Sequence, residues 1–275
     1  MSWLRDKCGN VAGPTAKIPT RREMQGVPKE QMRVYKFKDL TDERKHSHFL
    51  QMVLKNWIWC AGPDSLNDED EFRFAMDYEP SPHTHQLLSQ VVAQYRTTSF
   101  LPPPLSASLA LENDRLRVIT SPIIDDIIEK CRSSVGVTSF SMTKADDRLW
   151  EEYGGKGNGA CVEINIPDHL VGHDYHRVRY VPAKVFHIDT FLESAVFPHK
   201  VFQTFQNVLL TKTKKWEQEE EIRFIGNRQN VNLIFDGYIS EVTFGSEVPA
   251  ETLTQLTVHI ADHCHAHNIK ISQLP

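Results

Sequence analysis

The amino-acid sequence predicts an α+β fold in a single domain, with short strands in two small sheets around a cleft and with helical insertions. Short apolar segments with strand-like alternation lie between longer segments with helical periodicity. The segments do not follow the regular strand–helix–strand order that builds a doubly wound parallel sheet. Of the 275 residues, 40% are hydrophobic and 24% are charged, which is enough apolar material for one sizeable core.

The first predicted elements are a strand and a helix. Residues 33–37 (RVYKF) form a short strand-like segment. A helix is predicted from Asp42 to Asn56, because Thr41 or Asp42 can cap its first turn. Its inner face is expected to carry three apolar residues at helical spacing: Phe49, Met52 and Val53.

The other elements are predicted from apolar periodicity and from Gly and Pro boundaries. In chain order they are a strand at 57–60, helices at 85–95 and 122–131, a strand at 135–141, a short helix ending at Tyr153, a strand at 160–164, a strand near 178–181, a long helical region at about 189–215, strands at 219–225 and 237–244, a helix at 249–267 and a strand at 268–272.

Two segments bear on domain organisation. Residues 1–31 mix Gly, Pro, Lys and Arg without periodicity, which predicts a flexible N-terminal arm. Residues 32–275 are predicted to form the single domain. The proline-rich stretch at 97–108 (TTSFLPPPLSAS) is interpreted as an excursion within that domain, because the segments on either side are too small to fold alone.

Composition favours a cytoplasmic protein. The net charge of -5 gives no global sign of nucleic-acid or anionic-membrane binding. No apolar run approaches the roughly 18–20 residues of a membrane helix, and the first ten residues lack the apolar segment of a secretory signal. The five cysteines are scattered and form no Cys-x-x-Cys pair, which favours a reducing compartment over a disulfide frame or structural zinc site.

Three familiar motifs are weak in this chain. The loop GGKGNG (154–159) follows a predicted helix and precedes a strand, whereas a phosphate-binding loop requires the opposite order, so a helix end and turn is favoured. His259, His263 and His267 have helical metal-ligand spacing, but without an His-Glu-x-x-His arrangement we expect surface histidines and no metal site. A serine hydrolase is not favoured, because the sequence contains no Gly-x-Ser-x-Gly elbow. A cysteine protease is not favoured either, because Cys161 lies in an apolar strand and is expected in the core.

A stronger signal is the run WEQEEEIRF at 216–224. In an extended strand Glu219, Glu221 and Arg223 would share one face, and three ionised groups on one face require partners or a ligand. The alternative is a solvated charge run that ends a helix before an exposed strand. Ser139 and Ser141 alternate in the same way on the strand at 135–141, where solvent-facing hydroxyls are the alternative interpretation.

These segments occur in an order that resembles the bacterial family of unknown function numbered 2971. The residues that carry the resemblance span 33–272: Tyr35-Lys36-Phe37, Trp57, Pro63, Leu66-Asn67-Asp68, Gly136 to Ser141, Trp150, Tyr153, Gly159 to Glu163, Trp216, Glu219, Glu221, Arg223 and Glu241 to Gly245. The family usually continues Asn-Asp with Pro and an apolar residue, whereas this chain has Glu69 and Asp70.

The same order also resembles mono-ADP-ribosyltransferases of the arginine–serine–glutamate type, which hold NAD between two small sheets. The resemblance implies Glu221 as the catalytic glutamate, with Glu219 positioning the acceptor. Lys36 or Arg33 would meet the NAD phosphates, while Ser139 and Ser141 would shape the nicotinamide side. The remaining implied cofactor-binding residues are Tyr35, Trp150, Tyr153 and Arg223. The three aromatic rings would stack on nicotinamide or adenine. Arg223 would pair with Glu221 or contact a phosphate.

The resulting expectation is an NAD-consuming toxin or phage-defence effector, with an unidentified acceptor and an antitoxin as possible partner. Two other functions are open. The glutamates and Arg223 can form a structural network in a non-catalytic binding or regulatory module. Glu219, Glu221 and Asp68 can also surround a divalent metal in a nuclease or other hydrolase.

Overall fold

The structure is a computed structural model that describes residues 31–66, 70, 71, 73–96 and 115–275. Apart from Gln31, the predicted N-terminal arm lies outside the described residues. The proline-rich stretch at 97–108 and the loop residues 67–69, which include Asp68, also lie outside them.

The described chain consists of helices and strands, which confirms the α+β class. The helices are α1 (Glu43–Lys55), α2 (Pro82–Arg96), α3 (Arg115–Arg132), α4 (Asp147–Glu152), α5 (Ile188–Val196), α6 (Val201–Leu209) and α7 (Ala250–His267). The strands are β1 (Gln31–Asp39), β2 (Trp57–Cys60), β3 (Ala75–Asp77), β4 (Gly136–Ser141), β5 (Gly159–Pro167), β6 (Tyr175–Arg177), β7 (Arg179–Val181), β8 (Val185–His187), β9 (Thr211–Thr213), β10 (Glu221–Gly226), β11 (Val231–Ile234), β12 (Tyr238–Phe244) and β13 (Lys270–Gln273). Within the described residues, every helix is too short or too polar to span a bilayer.

The chain divides into two compact units. Of the described residues, unit 1 comprises 31–61, 136–178 and 215–275, and unit 2 comprises those within 62–135 and 179–214. The predicted single domain at 32–275 stays a prediction.

Several predicted elements are confirmed, and two differ in extent. The Asp42 carboxylate caps α1 by accepting a hydrogen bond from the Lys45 backbone N–H, as a helix N-cap requires. The prediction of one long helical region at 189–215 is wrong. A 3₁₀ turn at Pro198–Lys200 separates α5 from α6, and the chain then enters β9. Helix α5 ends before this turn because proline cannot donate the backbone hydrogen bond that would continue it. Helix α3 begins seven residues before the predicted start, with Pro122 inside it.

Unit 1 is built on a seven-stranded sheet in the order β13-β12-β5-β1-β4-β10-β6. Strand β1 pairs with β5 along its whole length, from Gln31 to Asp39. Its pairing with β4 is limited to one residue pair, Tyr35 opposite Ser141. The sheet therefore has a four-stranded part and a three-stranded part, and we call their junction the β1–β4 seam. The end of β2 occupies the β4 edge further along, where Ala61 and Val137 exchange backbone hydrogen bonds of 2.9 and 2.8 Å.

The two faces of this sheet differ in chemistry. One face packs on α1 and α7 and forms the apolar core, which includes Val34, Phe49, Met52, Ile58, Phe140, Val162, Ile164, Ile222, Val242, Phe244, Leu256 and Ile260. Because side chains alternate along a strand, the residues between these apolar positions point to the other face. We call that the polar face, since it carries the carboxylates described below.

Unit 2 has its own core between helices. Strand β3 pairs with β8 and β7 pairs with β9, both in parallel. Helices α2, α3, α5 and α6 contribute the buried cluster Leu87, Leu88, Val91, Val92, Leu116, Ile123, Ile124, Ile127, Ile188, Phe191, Leu192, Val196 and Val208. The hydroxyls of Ser81 and Thr84 both donate to the Asp189 carboxylate at 2.5 Å, which ties the start of α2 to the start of α5.

We expect Val242→Ala to lower the free energy of unfolding by about 2 kcal/mol, because a buried side chain leaves a cavity. Val242 is fully buried in the core of unit 1, whereas Val258 on α7 is 70% exposed. Val258→Ala is the matched control and should change stability by less than about 0.5 kcal/mol. Urea unfolding followed by circular dichroism measures both; equal effects would contradict the placement of the core.

Candidate functional site

One row of residues crosses the sheet on its polar face. From β12 to β10 the residues directly opposite one another are Glu241, Glu163, Tyr35, Ser141 and Glu221. Residues directly opposite in a sheet point to the same face. The predicted residues Tyr35, Ser141 and Glu221 therefore lie side by side on three adjacent strands, although 186 residues of sequence separate the first from the last (221 - 35).

Arg223 and Glu221 form a buried ion pair two residues apart on β10. The Arg223 Nε lies 2.7 Å from Glu221 Oε1 and its Nη2 lies 3.1 Å from Oε2. The two side chains are 2% and 5% exposed. Such a two-bond contact between guanidinium and carboxylate is strong and directional, and it compensates two charges that would otherwise be costly to bury. Arg223 is opposite Ser139 on β4 and His176 on β6.

Glu219 is buried beside this pair, but not in the way that the sequence predicts. It ends a 3₁₀ segment, Lys214–Glu219, and the exposed Glu220 has a left-handed φ of 43° before β10 begins. The predicted strand from 219, with Glu219 and Glu221 at period two, is therefore wrong. The Glu219 carboxylate nevertheless accepts a 2.8 Å hydrogen bond from the Tyr153 hydroxyl, and its backbone oxygen lies 2.8 Å from the Ser141 hydroxyl. Burial and the Glu219 charge raise the pKa of Tyr153, so the phenol stays a hydrogen-bond donor.

Aromatic side chains cover the middle of the polar face. Tyr35, Phe37 and Trp150 are buried there together with Leu149 and Cys161. The Trp150 ring meets Phe37 edge to face at 5.1 Å, and its indole N–H donates to the Lys144 carbonyl at 3.2 Å. The predicted residues Trp150 and Tyr153 thus lie at and just after α4, next to Tyr35.

Lys36 leaves β1 on the side of the apolar core, away from Tyr35. Its ammonium donates to the Ser139 backbone oxygen at 2.7 Å and lies 5.8 Å from the centre of the Phe140 ring. Burial lowers the pKa of Lys36 to about 8, and attraction to the Glu221 charge opposes that shift. The structure therefore brings together Tyr35, Ser139, Ser141, Trp150, Tyr153, Glu219, Glu221 and Arg223, and it does not place Lys36 on their face.

Two further carboxylates complete the row and were not predicted as site residues. Glu163 accepts a 2.7 Å hydrogen bond from the Ser240 hydroxyl and lies 3.4 Å from Arg33 Nε. Lys144 and Lys270 each lie 2.8 Å from a Glu241 oxygen. Burial raises the pKa of Glu241, but the hydrogen bonds from Lys144, Lys270 and Ser272 outweigh it and lower the pKa to about 2.

The weaker motifs behave as ordinary structure in the described residues. The turn GGKGNG follows α4 and precedes β5, with left-handed φ values at Gly155, Lys156 and Gly157, so the helix end and turn is confirmed. His263 and His267 stack at 4.2 Å on α7. Among the residues that the structure describes, no group of three or more His, Cys, Asp or Glu side chains is arranged to hold a metal. Four of the cysteines are free and buried: Cys60, Cys131, Cys161 and Cys264.

Comparison of the chain with protein-family models, curated proteins and solved structures gave no match. The resemblances stated from the sequence therefore stay predictions.

We expect Arg223→Met to lower the free energy of unfolding by about 3–5 kcal/mol, because it leaves the Glu221 carboxylate buried without its guanidinium partner. The matched control is Arg148→Met, whose 3.2 Å pair with Asp146 is exposed on the arginine side and should contribute less than about 1 kcal/mol. Urea unfolding curves compare the two. A loss for Arg223→Met no larger than the control's would contradict a compensated buried pair.

The folded state should lose stability as the pH falls from about 4.5 to about 2, partly through Glu241. Its pKa is depressed in the folded state from an ordinary 4.5 to about 2, so its contribution is present above 4.5 and is lost as the carboxylate protonates in that window. We expect Glu241→Gln to remove about 2 kcal/mol of this pH dependence. The exposed Glu217→Gln serves as control, and melting temperatures between pH 2 and 6 provide the measurement; identical slopes in both variants would contradict the assignment.

Proposed function

We propose that unit 1 binds NAD on the polar face of its sheet and transfers ADP-ribose from it to an acceptor. The observation that carries the proposal is the row Tyr35–Ser141–Glu221 on the adjacent strands β1, β4 and β10. An NAD-cleaving site of the type that the sequence resembles needs a first-strand residue, a Ser-x-Ser strand and a glutamate strand within reach of one ligand. Adjacent strands lie about 5 Å apart, so the row meets that need.

The β1–β4 seam supports the proposed architecture. A single residue pair joins the four-stranded and three-stranded parts of the sheet. Beyond Tyr35 and Ser141 the strands β1 and β4 are no longer paired, so the two parts are free to diverge there. We propose that they are the two small sheets predicted from the sequence, with the nicotinamide end of NAD near Ser139 and Ser141.

Glu221 is the proposed catalytic group. Cleavage of the bond between nicotinamide and ribose sends the bonding electron pair to nicotinamide and leaves positive charge on the ribose, which a nearby carboxylate stabilises. The two bonds from Arg223 orient the Glu221 carboxylate. In the proposed complex this carboxylate accepts a hydrogen bond from a ribose hydroxyl.

Glu219 is the proposed base for the acceptor. A nucleophile that forms the new bond to the ribose must lose a proton, and a second carboxylate beside the first can receive it. The Tyr153 hydroxyl holds the Glu219 carboxylate by a 2.8 Å hydrogen bond. Glu219 reaches the site from the end of the 3₁₀ segment, whereas Glu221 lies on β10. The two carboxylates therefore come from different elements, and we assign them different roles.

Arg33 is the first-strand cation that fits this site best. By alternation it points to the same face as Tyr35, it is 61% exposed, and it lies 3.4 Å from Glu163. It can therefore reach the NAD phosphates, whereas Lys36 points to the other side of β1. Tyr35 and Trp150 are buried with Phe37 beside the row, so their stacking on nicotinamide or adenine stays a prediction.

A second candidate function is a non-catalytic module in which Glu221 and Arg223 only hold the strands together. The burial of both side chains and their two-bond contact favour it, since structural ion pairs have the same geometry. The hydrolase with Glu219, Glu221 and Asp68 around a metal ranks below it, and Asp68 lies outside the described residues.

The test is the transfer of label from NAD to cell-extract components, together with NAD consumption, for the wild type and Glu221→Gln. We expect the substitution to lower the rate by about 100-fold or more, as the loss of a preorganised charge-stabilising group does. The control is Glu220→Gln, which changes the neighbouring exposed carboxylate and should keep the wild-type rate.

A second variant, Tyr153→Phe, tests the proposed role of Glu219. Tyr153→Phe removes one hydrogen bond to the Glu219 carboxylate and keeps the aromatic ring, and it should lower the rate by about tenfold while the fold stays intact. Wild-type protein without NAD loss or transfer would overturn the enzymatic proposal. Equal rates for the wild type and a folded Glu221→Gln would remove Glu221 from the mechanism.

A further inference from the structure

Strands β1 and β2 both reach the same edge of β4, at different positions along it, and we call the region between them the β1–β2 wedge. Along the β4 edge, Ser141 pairs with Tyr35 of β1 and Val137 pairs with Ala61 at the end of β2. Between these two positions the Ser139 backbone oxygen accepts its hydrogen bond from the Lys36 ammonium. A lysine side chain thus replaces the backbone partner that a continuous strand would supply, and β1 and β2 approach β4 without closing the edge.

Two lysines line the β1 side of this wedge. Lys36 and Lys38 are two residues apart on β1 and therefore share a face. In the described part of the chain, neither ammonium forms an ion pair with a carboxylate, although both side chains are partly buried. Two like charges in a partly desolvated position destabilise the free protein unless an anion offsets them.

The opposite wall is aromatic. Trp59 of β2 is 40% exposed, and its ring is nearly parallel to that of His48 on α1, with 6.4 Å between centroids and 7° between planes. The Trp59 backbone oxygen accepts from the Thr138 hydroxyl at 2.8 Å, which ties this wall to β4. A partly exposed, flat aromatic pair near cations is a surface on which a planar ring can stack.

We propose that the β1–β2 wedge is a binding site for the phosphate group of a ligand, with Lys36 and Lys38 holding the phosphate and the His48–Trp59 pair contacting whatever the phosphate carries. Ammonium groups bind phosphate as compact point charges. The site goes beyond the proposed NAD chemistry, because its residues lie on the core side of β1 whereas Tyr35 and Glu221 lie on the polar face.

The pKa values of Lys36, Lys38 and His48 are all lowered, as expected for cationic groups that lack a bound anion. Burial and repulsion from Lys36 lower the pKa of Lys38 to about 7, and burial lowers the pKa of His48, with Lys38 and Arg44 adding to the shift. The other charged or titratable groups near them are Asp42 on α1, Cys60 on β2 and Glu221 on β10. A bound dianion stabilises the protonated lysines, so binding should strengthen as the pH falls from about 8.5 to about 6.5.

The test is isothermal titration of the folded full chain with pyrophosphate and with ADP at pH 7 and low salt. We expect both to bind the wild type and Lys38→Met to bind at least about tenfold more weakly, since it loses one of two phosphate-facing charges. Lys55→Met is the matched control: it removes the lysine at the end of α1, whose ammonium lies 4.8 Å from the Trp57 ring centre, and should leave binding within about twofold.

Three further measurements sharpen the result. Trp59→Ala should weaken the binding of ADP but not of pyrophosphate, because only ADP carries a ring that can stack on the His48–Trp59 pair; unchanged ADP binding would remove that pair from the proposed site. Tyr153→Phe changes the polar face without changing a charge near Lys36 or Lys38, so it should leave pyrophosphate binding unchanged, which separates this site from the NAD proposal. Titration with sulfate, whose charge is constant from pH 6.5 to 8.5, tests the pH dependence without titration of the ligand.

Three results would overturn the proposal. They are no binding of pyrophosphate, ADP or sulfate to the wild type, an equal loss in Lys38→Met and Lys55→Met, and loss of pyrophosphate binding in a folded Tyr153→Phe. Circular dichroism of each variant excludes unfolding as the cause. Because Lys38→Met keeps the apolar stem and removes a repelling charge, we expect it to fold at least as stably as the wild type.

Discussion

The pair Tyr35–Ser141 is the point on which the arrangement of the central sheet depends. It is the single register position that joins β1 to β4, while β1 is paired with β5 over its whole length. A shift of one residue in a strand would exchange its two faces. Such a shift at β1 would place Lys36 beside Glu221 and put Tyr35 into the core of α1 and α7. The registers on either side of β1 therefore determine which residues can act together.

The same constraint explains the distribution of charge. On the polar face, Glu221, Glu163 and Glu241 each have a cationic partner, and Glu163 and Glu241 need theirs because like charges directly opposite in a sheet repel. On the core side of β1, Lys36 and Lys38 lack such a partner among the described residues. A fold stabilised only by its core would favour apolar residues at both lysine positions. The asymmetry thus favours a ligand over a purely structural explanation for the lysines.

The sequence predicts elements where a local signal decides them and misses those that depend on distant contacts. Asp42 and the apolar stripe of α1 are local signals, and the helix is found within one residue of its predicted bounds. The conformation of Glu220, with its φ of 43°, has no local signal, so the charge run was assigned to β10 two residues too early. The sequence also does not predict the pairing of Glu163 with Glu241 or the proposed role of Lys38, because strand alternation gives the period of a face but not what lies opposite it.

The geometry of Glu221 also bears on whether the polar row is only structural. A purely structural pair needs one carboxylate and one guanidinium, and replacing it with packed apolar side chains is often neutral or stabilising. Here the Glu221–Arg223 pair adjoins a second buried carboxylate, Glu219, and the left-handed residue Glu220 joins Glu219 to β10. A non-glycine residue in that conformation costs about 1 kcal/mol or more. That strain opposes stability, and proteins retain such strain at sites that do chemistry, which favours the proposed function over a purely structural pair.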